Sequence, residues 1–365
     1  MKIIVSAGGT GGHIYPALAI INKFKEKEPN TEVLYIGTHN RMEKDLIPKR
    51  NIPYEELEIY GFSKKDILLD IKNVFLINKA TKKCLKIMKD FKPDIVLGIG
   101  GYVTYPVINA AHKLGIKTFI HEQNSHPGKT NLALQKKADL IGVSFEKSAS
   151  SFKNAKGEVF YSGNPCGENA LSLEPMKKSS LGLSEDKKLV VVVAGSLGSA
   201  SVNEKMTEFL SNAKEYDYEI LYITGKSLYD EFTKDKNFPE NVKVLPYLDN
   251  LPALLKNTDL IVTRAGASTM SEILSLNLPA IFIPSPYVAN NHQYYNALEI
   301  KNNGGGEIIE EKDLTSKELA NKIKEVLKDE KRYKMMKENL KKMSMNNSSD
   351  LIYSKLKDLI RWLII

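Results

Sequence analysis

The sequence predicts an α/β protein of two doubly wound parallel-sheet domains. Three observations carry that prediction. Short continuous apolar runs alternate with stretches of helical apolar spacing, the pattern of strands covered by helices on both faces. A strand, glycine turn, helix opening occurs twice, once at the amino terminus and again near residue 188. The length of 365 residues exceeds what one ordinary core organises.

The first opening is residues 2–6 (KIIVS), then AGGTGGH, then helical spacing from Pro16 onward. Further strands are predicted at 33–37 (VLYIG), 94–98 (DIVLG), 118–121 (TFIH) and 140–143 (LIGV), with helices between them, notably 65–89. A less regular stretch, 154–186, holds Gly163-Asn164-Pro165 and Glu174-Pro175 and reads as the linker region. The pattern restarts with 188–194 (KLVVVVA), the turn 195–198 (GSLG) and a helix from about Val202. Strands are predicted at 219–224, 243–245, 259–262 and 280–283, and the lysine-rich end, 314–365, as helical throughout. The expected domains are 1–163 and 164–344, with a final helix at about 345–365 packing back on the first. In open α/β sheets ligands sit beyond the carboxyl ends of the strands, so two such domains facing each other would form one cleft.

A composition of 42% hydrophobic and 26% charged residues excludes disordered and collagen-like classes. No apolar run approaches the roughly 18–20 residues that span a bilayer. The start lacks a secretory h-region, and Cys84 and Cys166 match no metal spacing, so both read as reduced cytosolic thiols. The net charge of +8 suits nucleic acid, anionic lipid, acidic substrates or plain solubility. Zinc-finger spacing and RNA-recognition aromatics are missing, so nucleic acid is not favoured. The lysines cluster at 64–92, where they exceed aspartate by six and interleave with Ile67, Leu68, Leu69, Val74, Phe75, Leu76 and Ile77. Lys72, Phe75, Leu76, Lys79, Lys82, Lys83 and Lys86 form a candidate surface for anionic lipid; the alternative is a packed amphipathic helix with a solvated lysine face. The terminal 359–365 (LIRWLII) is a second candidate, with docking onto the first domain the stronger reading.

Four constellations carry chemistry. The first is Ala7-Gly8-Gly9-Thr10-Gly11-Gly12-His13, where missing β-carbons admit an anion to backbone amides at a helix start. Its spacing is neither the dinucleotide G-x-G-x-x-G nor a P-loop, which disfavours a nicotinamide enzyme or a kinase. A tight turn without ligand is the alternative. His13 is a candidate general base or else a capping residue. The second is Gly98-Ile99-Gly100-Gly101-Tyr102, whose Gly100, Gly101 and Tyr102 would complete a phosphate rim. The third, His121-Glu122-Gln123-Asn124, places four hydrogen-bonding side chains at a strand end, suited to a polyhydroxylated ligand or to helix capping. The fourth joins the turn 195–199 to Arg264-Ala265-Gly266-Ala267-Ser268-Thr269-Met270-Ser271-Glu272, with amides for a diphosphate and Glu272 for ribose hydroxyls. The alternative for Glu272 is an ordinary capping-box or first-turn carboxylate. The segment Asn290-Asn291-His292-Gln293 opens another helix that could close over a sugar.

Read together, these segments resemble the bacterial transferase family that adds N-acetylglucosamine to lipid I, making the peptidoglycan precursor lipid II. AGGTGGHIYPALA, GIGGYVTYP, HEQN, GNP, GSLGS, RAGASTMSE and NHQYYNA stand in the family's order from residue 7 to about 297. The resemblance implies a GT-B architecture, two facing Rossmann-like domains with an interdomain cleft, and an inverting reaction without metal or cofactor. It implies UDP-N-acetylglucosamine, lipid I, an anionic membrane surface and other cell-wall synthesis proteins as partners, at the cytoplasmic face of the membrane. Carried over by motif, Thr10, Gly11 and Gly12 would line a donor or acceptor phosphate rim, and Asn124 would bond the N-acetylglucosamine. Ser196 would touch the diphosphate, and Leu248 would meet uracil through its backbone. Ala267, Ser268, Thr269, Met270, Ser271 and Glu272 would hold phosphates and ribose; Gln293, with His292, would contact the sugar, and His13 would be the base. One departure stands out. The family often has arginine shortly after GNP, whereas Gly167 follows Cys166 here with no arginine nearby. The competing readings are another GT-B lipid glycosyltransferase, a UDP-N-acetylglucosamine 2-epimerase and a nucleotide-sugar sensor without turnover.

Overall fold

A computed structural model describes residues 1–61, 67–195 and 198–361. The chain divides into two compact units, Met1–Cys166 with Asn347–Ile365, and Gly167–Asn346.

The first unit holds seven parallel strands: β1 (Lys2–Ala7), β2 (Glu32–Thr38), β3 (Tyr54–Leu57), β4 (Ile95–Gly100), β5 (Lys117–Glu122), β6 (Leu140–Val143) and β7 (Glu158–Tyr161). Their order is β3-β2-β1-β4-β5-β6-β7, so the winding reverses between β1 and β4. Alternation along each strand sends side chains to opposite faces. Ile3, Val5 and Leu97 pack with Ile14, Ile21 and Phe24 of helix Gly11–Lys27. Ile4, Val96 and Ile120 pack on the other face with Ala80, Cys84 and Met88 of helix Ile67–Phe91 and Val107 and Ile108 of helix Thr104–Lys113. Each Val, Leu, Ile, Phe or Met so buried contributes about 1.5–3 kcal/mol. Covering both faces is what makes these strands read as unbroken apolar runs.

Helix Ser348–Arg361 completes this unit. Ile352 and Leu356 are fully buried in the same cluster as Phe24, whose ring meets Tyr353 edge-on at 5.1 Å. Asp350 pairs with Lys23 at 3.2 Å and Lys27 at 3.1 Å. Residues 362–365 of the apolar terminal segment lie outside the described residues.

The second unit holds six parallel strands: β8 (Leu189–Val193), β9 (Glu219–Ile223), β10 (Val242–Leu245), β11 (Leu260–Thr263), β12 (Ala280–Phe282) and β13 (Gly306–Ile308). Their order, β10-β9-β8-β11-β12-β13, reverses between β8 and β11. Val190 and Val192 pack with Met206 and Phe209 of helix Ala200–Ser211 and with Leu319 and Ile323 of helix Ser316–Lys328. The carboxyl-terminal stretch is not one continuous helix. It is helical over Ser316–Lys328, Glu330–Met343 and Ser348–Arg361. Asp329 stops the first and caps the second, accepting from the Arg332 amide at 2.9 Å.

Strands β3 (YEEL), β7 (EVFY) and β13 (GEI) have no counterpart among the sequence-predicted strands. Each is a sheet edge. The faces of these edge strands are only partly covered and tolerate charge, so the apolar run that betrays a central strand is missing.

Candidate functional site

In both units the winding reversal opens a crevice at the carboxyl ends of neighbouring strands, where open α/β sheets take ligands. In the first unit the loops after β1, β4 and β5 stand side by side.

The β1 and β4 loops interlock. The Gly8 amide donates to Gly100 O at 3.2 Å, and Gly101, at φ +88°, approaches so near that a Cβ there would overlap the Gly8 carbonyl. Gly100, at φ +122°, leaves room for the His13 ring; a Cβ would lie 3.0 Å from His13 Nε2. His13 Nδ1 lies 3.0 Å from Gly8 O. A carbonyl only accepts, so Nδ1 carries the hydrogen of the neutral ring and Nε2 the lone pair. A base nitrogen is thereby presented beside the glycine rim.

Not every amide in this turn serves a ligand. Those of Gly8 and Gly9 are spent, the second on Glu43 Oε2 at 3.2 Å. Helix Gly11–Lys27 starts after Thr10, which has extended backbone and no side-chain cap bond. Thr10, Gly11 and Gly12 therefore stand at a helix start, where first-turn amides lack intrahelical partners and favour anions. Tyr102 packs over Gly61, where a Cβ would sit 3.3 Å from the Tyr102 ring.

The HEQN segment departs from its sequence reading. His121, Glu122 and Gln123 are 0%, 2% and 1% exposed, so they cannot meet a sugar. Glu122 instead accepts from the Asn124 amide at 3.0 Å, Asn124 Nδ2 at 3.1 Å, the Gly128 amide at 2.9 Å and Asn131 Nδ2 at 2.8 Å. His121 Nε2 donates to Gly163 O at 3.0 Å while Nδ1 accepts from Gln123 Nε2 at 2.9 Å. Burial pulls this imidazole down to about 4, partly offset by the Gly163 bond, which keeps it neutral near pH 7. Only Asn124 is half-exposed, and Glu122 sets its position.

In the second unit the loops after β8, β11 and β12 occupy the equivalent place. Ser196, assigned to the diphosphate by sequence, lies outside the described residues, as does Leu197. Helix Ala267–Leu276 starts after β11 with Gly266 extended ahead of it. The side chains of Met270 and Ser271 are 0% and 5% exposed and face the core, so neither reaches a ligand. Any contact from them is through backbone. Burial pushes the Glu272 carboxyl up to about 7. Gln293 Oε1 accepts from the Ser285 amide at 2.9 Å, and His292 stands beside it at the start of helix His292–Asn302. Tyr247, ahead of half-buried Leu248, has Lys226 Nζ over its ring at 4.4 Å.

Sequence reading missed the brace under these loops. Arg264 donates to Ile283 O at 3.0 Å and to Ser199 Oγ at 2.9 Å, and pairs with Glu311 at 2.6 Å. Glu311 also accepts from Ser201 Oγ at 2.6 Å. A guanidinium so committed ties Ser199 to the ends of β11 and β12. Glu311 carried no local signal, because its partners are about 50 and 110 residues away. The departure at Gly167 also has a physical reason. A Cβ there would overlap Ser275 Oγ and lie 2.6 Å from Ser271 O, so helix Cys166–Ser172 needs a residue without one.

On helix Ile67–Phe91, Ile71, Val74 and Phe75 are 53%, 50% and 71% exposed, with Lys72, Lys79, Lys82 and Lys86 exposed around them. Within the sequence-derived patch one residue turns inward and another, though exposed, is paired. Leu76 is 7% exposed and faces the core, and Lys83 is tied to Glu55 at 2.9 Å and Glu56 O at 2.8 Å. Lys79 is 3.9 Å from Glu58. Lys64 and Lys65 lie outside the described residues. Among the described residues no helix is long and apolar enough to cross a membrane, and no group of three or more His, Cys, Asp or Glu is arranged for a metal ion.

Two parallel sheets with glycine turns and helix starts at both switch points are the architecture of GT-B glycosyltransferases. Residues 3–143 match the glycosyltransferase family 28 N-terminal domain, and residues 189–352 its C-terminal domain. The chain belongs to glycosyltransferase family 28. It is 41% identical, over 99% of its length and 100% of the relative, to the UDP-N-acetylglucosamine–N-acetylmuramyl-(pentapeptide) pyrophosphoryl-undecaprenol N-acetylglucosamine transferase of Bacillus cytotoxicus. The enzyme of that name in Pediococcus pentosaceus is 40% identical, over 98% of this chain and 99% of its own. The crystal structure of Acinetobacter baumannii MurG matches with a TM-score of 0.79 and 27% identity over 99% of both chains. The UDP-GlcNAc 2-epimerase of Neisseria meningitidis matches at 0.66 and 15% identity over 98% of this chain and 100% of its own, a likeness of fold alone.

Proposed function

We propose that this glycosyltransferase moves N-acetylglucosamine from UDP-N-acetylglucosamine to lipid I, forming lipid II, with inversion and without a metal ion. The observation that carries the reading is the 41% identity to a transferase of that description across essentially both whole chains. His13 Nε2 takes the proton of the acceptor's sugar hydroxyl as that oxygen bonds to the anomeric carbon and the bond to UDP breaks. Negative charge developing on the leaving diphosphate is met by amides at the start of helix Ala267–Leu276. Ser196, Leu248, Glu272, His292 and Gln293 complete the donor side, Asn124 bonds the N-acetylglucosamine, and Gly100, Gly101 and Tyr102 border the acceptor's phosphates. Offered UDP-N-acetylglucosamine or UDP-glucose with a lipid I analogue, the protein is expected to transfer only the former. Transfer from UDP-glucose alone, or epimerisation with no acceptor present, would sink this reading.

The acceptor is lipid-linked, so the protein works at the membrane surface, on the cytoplasmic face, where other proteins of cell-wall synthesis are its neighbours. Ile71, Val74 and Phe75 would insert while Lys72, Lys82 and Lys86 meet anionic headgroups. At about 1 kcal/mol per lysine, charge reversal of these three is expected to weaken binding to anionic vesicles by roughly 100-fold or more. Co-sedimentation at unchanged strength would remove the patch from the account.

A further inference from the structure

We infer that Glu43 is the positioning residue of His13, acting through one peptide group; this rests on the reading of His13 as the base. The Glu43 side chain is fully buried beneath the first glycine turn. Space for it is made by two missing β-carbons: a Cβ at Gly8 would lie 2.5 Å from Glu43 Oε1, and one at Gly37 would lie 2.8 Å from its Cγ. Oε1 accepts from the Thr38 amide at 3.1 Å and Thr38 Oγ1 at 2.6 Å, and Oε2 accepts from the Gly9 amide. Among the described residues no lysine or arginine pairs with it. A carboxylate buried without a cation is costly, and here hydrogen bonds to both oxygens offset that cost.

The bond that matters is the one to Gly9. The Gly9 N–H and the Gly8 C=O belong to the same planar trans peptide and point in opposite directions. One end meets Glu43 Oε2 at 3.2 Å; the other accepts His13 Nδ1–H at 3.0 Å. Carboxylate, peptide and imidazole thus form one chain, in which each hydrogen bond polarises the next. Glu43 does for His13, at one peptide's remove, what a directly bonded carboxylate does for a catalytic histidine. It holds the tautomer with Nε2 unprotonated and steadies the imidazolium once the proton arrives. Gly9 stands at φ +91°, backbone that glycine adopts without steric cost.

Replacing Glu43 by glutamine sets an amide nitrogen against the Gly9 N–H. With UDP-N-acetylglucosamine and a lipid I analogue, E43Q is expected to lower kcat about 10- to 100-fold, the range for partners that orient a functional histidine, with the donor KM unchanged. In an H13A background E43Q should cost less than about twofold more, because the two act as a unit. T38V removes a bond to the same carboxylate while leaving the peptide relay, and should reduce stability but not kcat. Nitrogen-15 shifts of the neutral His13 ring report the tautomer without any turnover. The Nδ1–H form should dominate in the wild type and lose dominance in E43Q, or in E43D if E43Q does not fold. Equal losses from E43Q with and without His13, an equal kcat loss in T38V, or an unchanged tautomer would overturn the inference. A wild type that transfers nothing but shows the tautomer change would overturn only the proposed function.

Discussion

His13→Ala is expected to lower kcat by about 10²–10⁴-fold, the usual contribution of a positioned general base. UDP affinity should stay unchanged, because the residues proposed to bind UDP lie in the other unit. The size of the effect follows from geometry. The Gly8 carbonyl holds Nδ1–H, Gly100 lacks the Cβ that would press on the ring, and Nε2 is left with its lone pair beside the helix start at Gly11. Alanine removes the proton acceptor while Gly8 N to Gly100 O, at 3.2 Å, still holds the two loops together. Steady-state kinetics and UDP titration of the variant test this. An unchanged kcat would mean the base lies elsewhere.

The second large effect is expected at Glu272. Its carboxyl, pushed by burial from about 4.5 up to about 7, is largely protonated in slightly acid solution. If it accepts from ribose hydroxyls, its ionised form binds better, so the donor KM should fall as pH rises through about 7. A hydrogen bond to a charged group contributes about 1.5–3 kcal/mol, so Glu272→Gln should raise the donor KM by roughly 10- to 100-fold and flatten that pH dependence. Stability runs the other way. A carboxyl whose folded value is raised binds its proton more tightly in the folded state, so its contribution is fully present below about 4.5 and is lost as pH rises to about 7. Melting of the ligand-free protein across that window should show the slope, and Glu272→Gln should reduce it. A donor KM independent of pH in the wild type would remove Glu272 from the ribose site.

Central strands were legible in the sequence because burial on both faces forces a run such as LVVVV at 189–193. The edges β3, β7 and β13 were not, since their faces are only partly covered and carry Glu or Tyr without cost. Glycine turns were legible for a local reason: positions such as Gly9, Gly100 and Gly101 need positive φ, which other residues rarely adopt. What each polar residue beside those turns does was not legible. His121, Glu122 and Gln123 look like ligand contacts in a string of letters, yet all three are buried on protein partners, and Glu122 supports Asn124. The lysine-rich helix was recognised by charge, but only packing separates exposed Phe75 from buried Leu76, its neighbour in sequence.

By itself, then, the sequence determined the fold class, the order of the loops and the family resemblance, because periodicity, turn chemistry and motif order are properties of neighbouring residues. The tertiary structure decided which polar groups are spent on the protein and which remain for a ligand. Gly9 loses its amide to Glu43, 34 residues away, and Arg264 loses its guanidinium to Glu311 and Ser199. Whether a buried polar atom has found its partner depends on segments that only folding brings together, and no spacing along the chain records it.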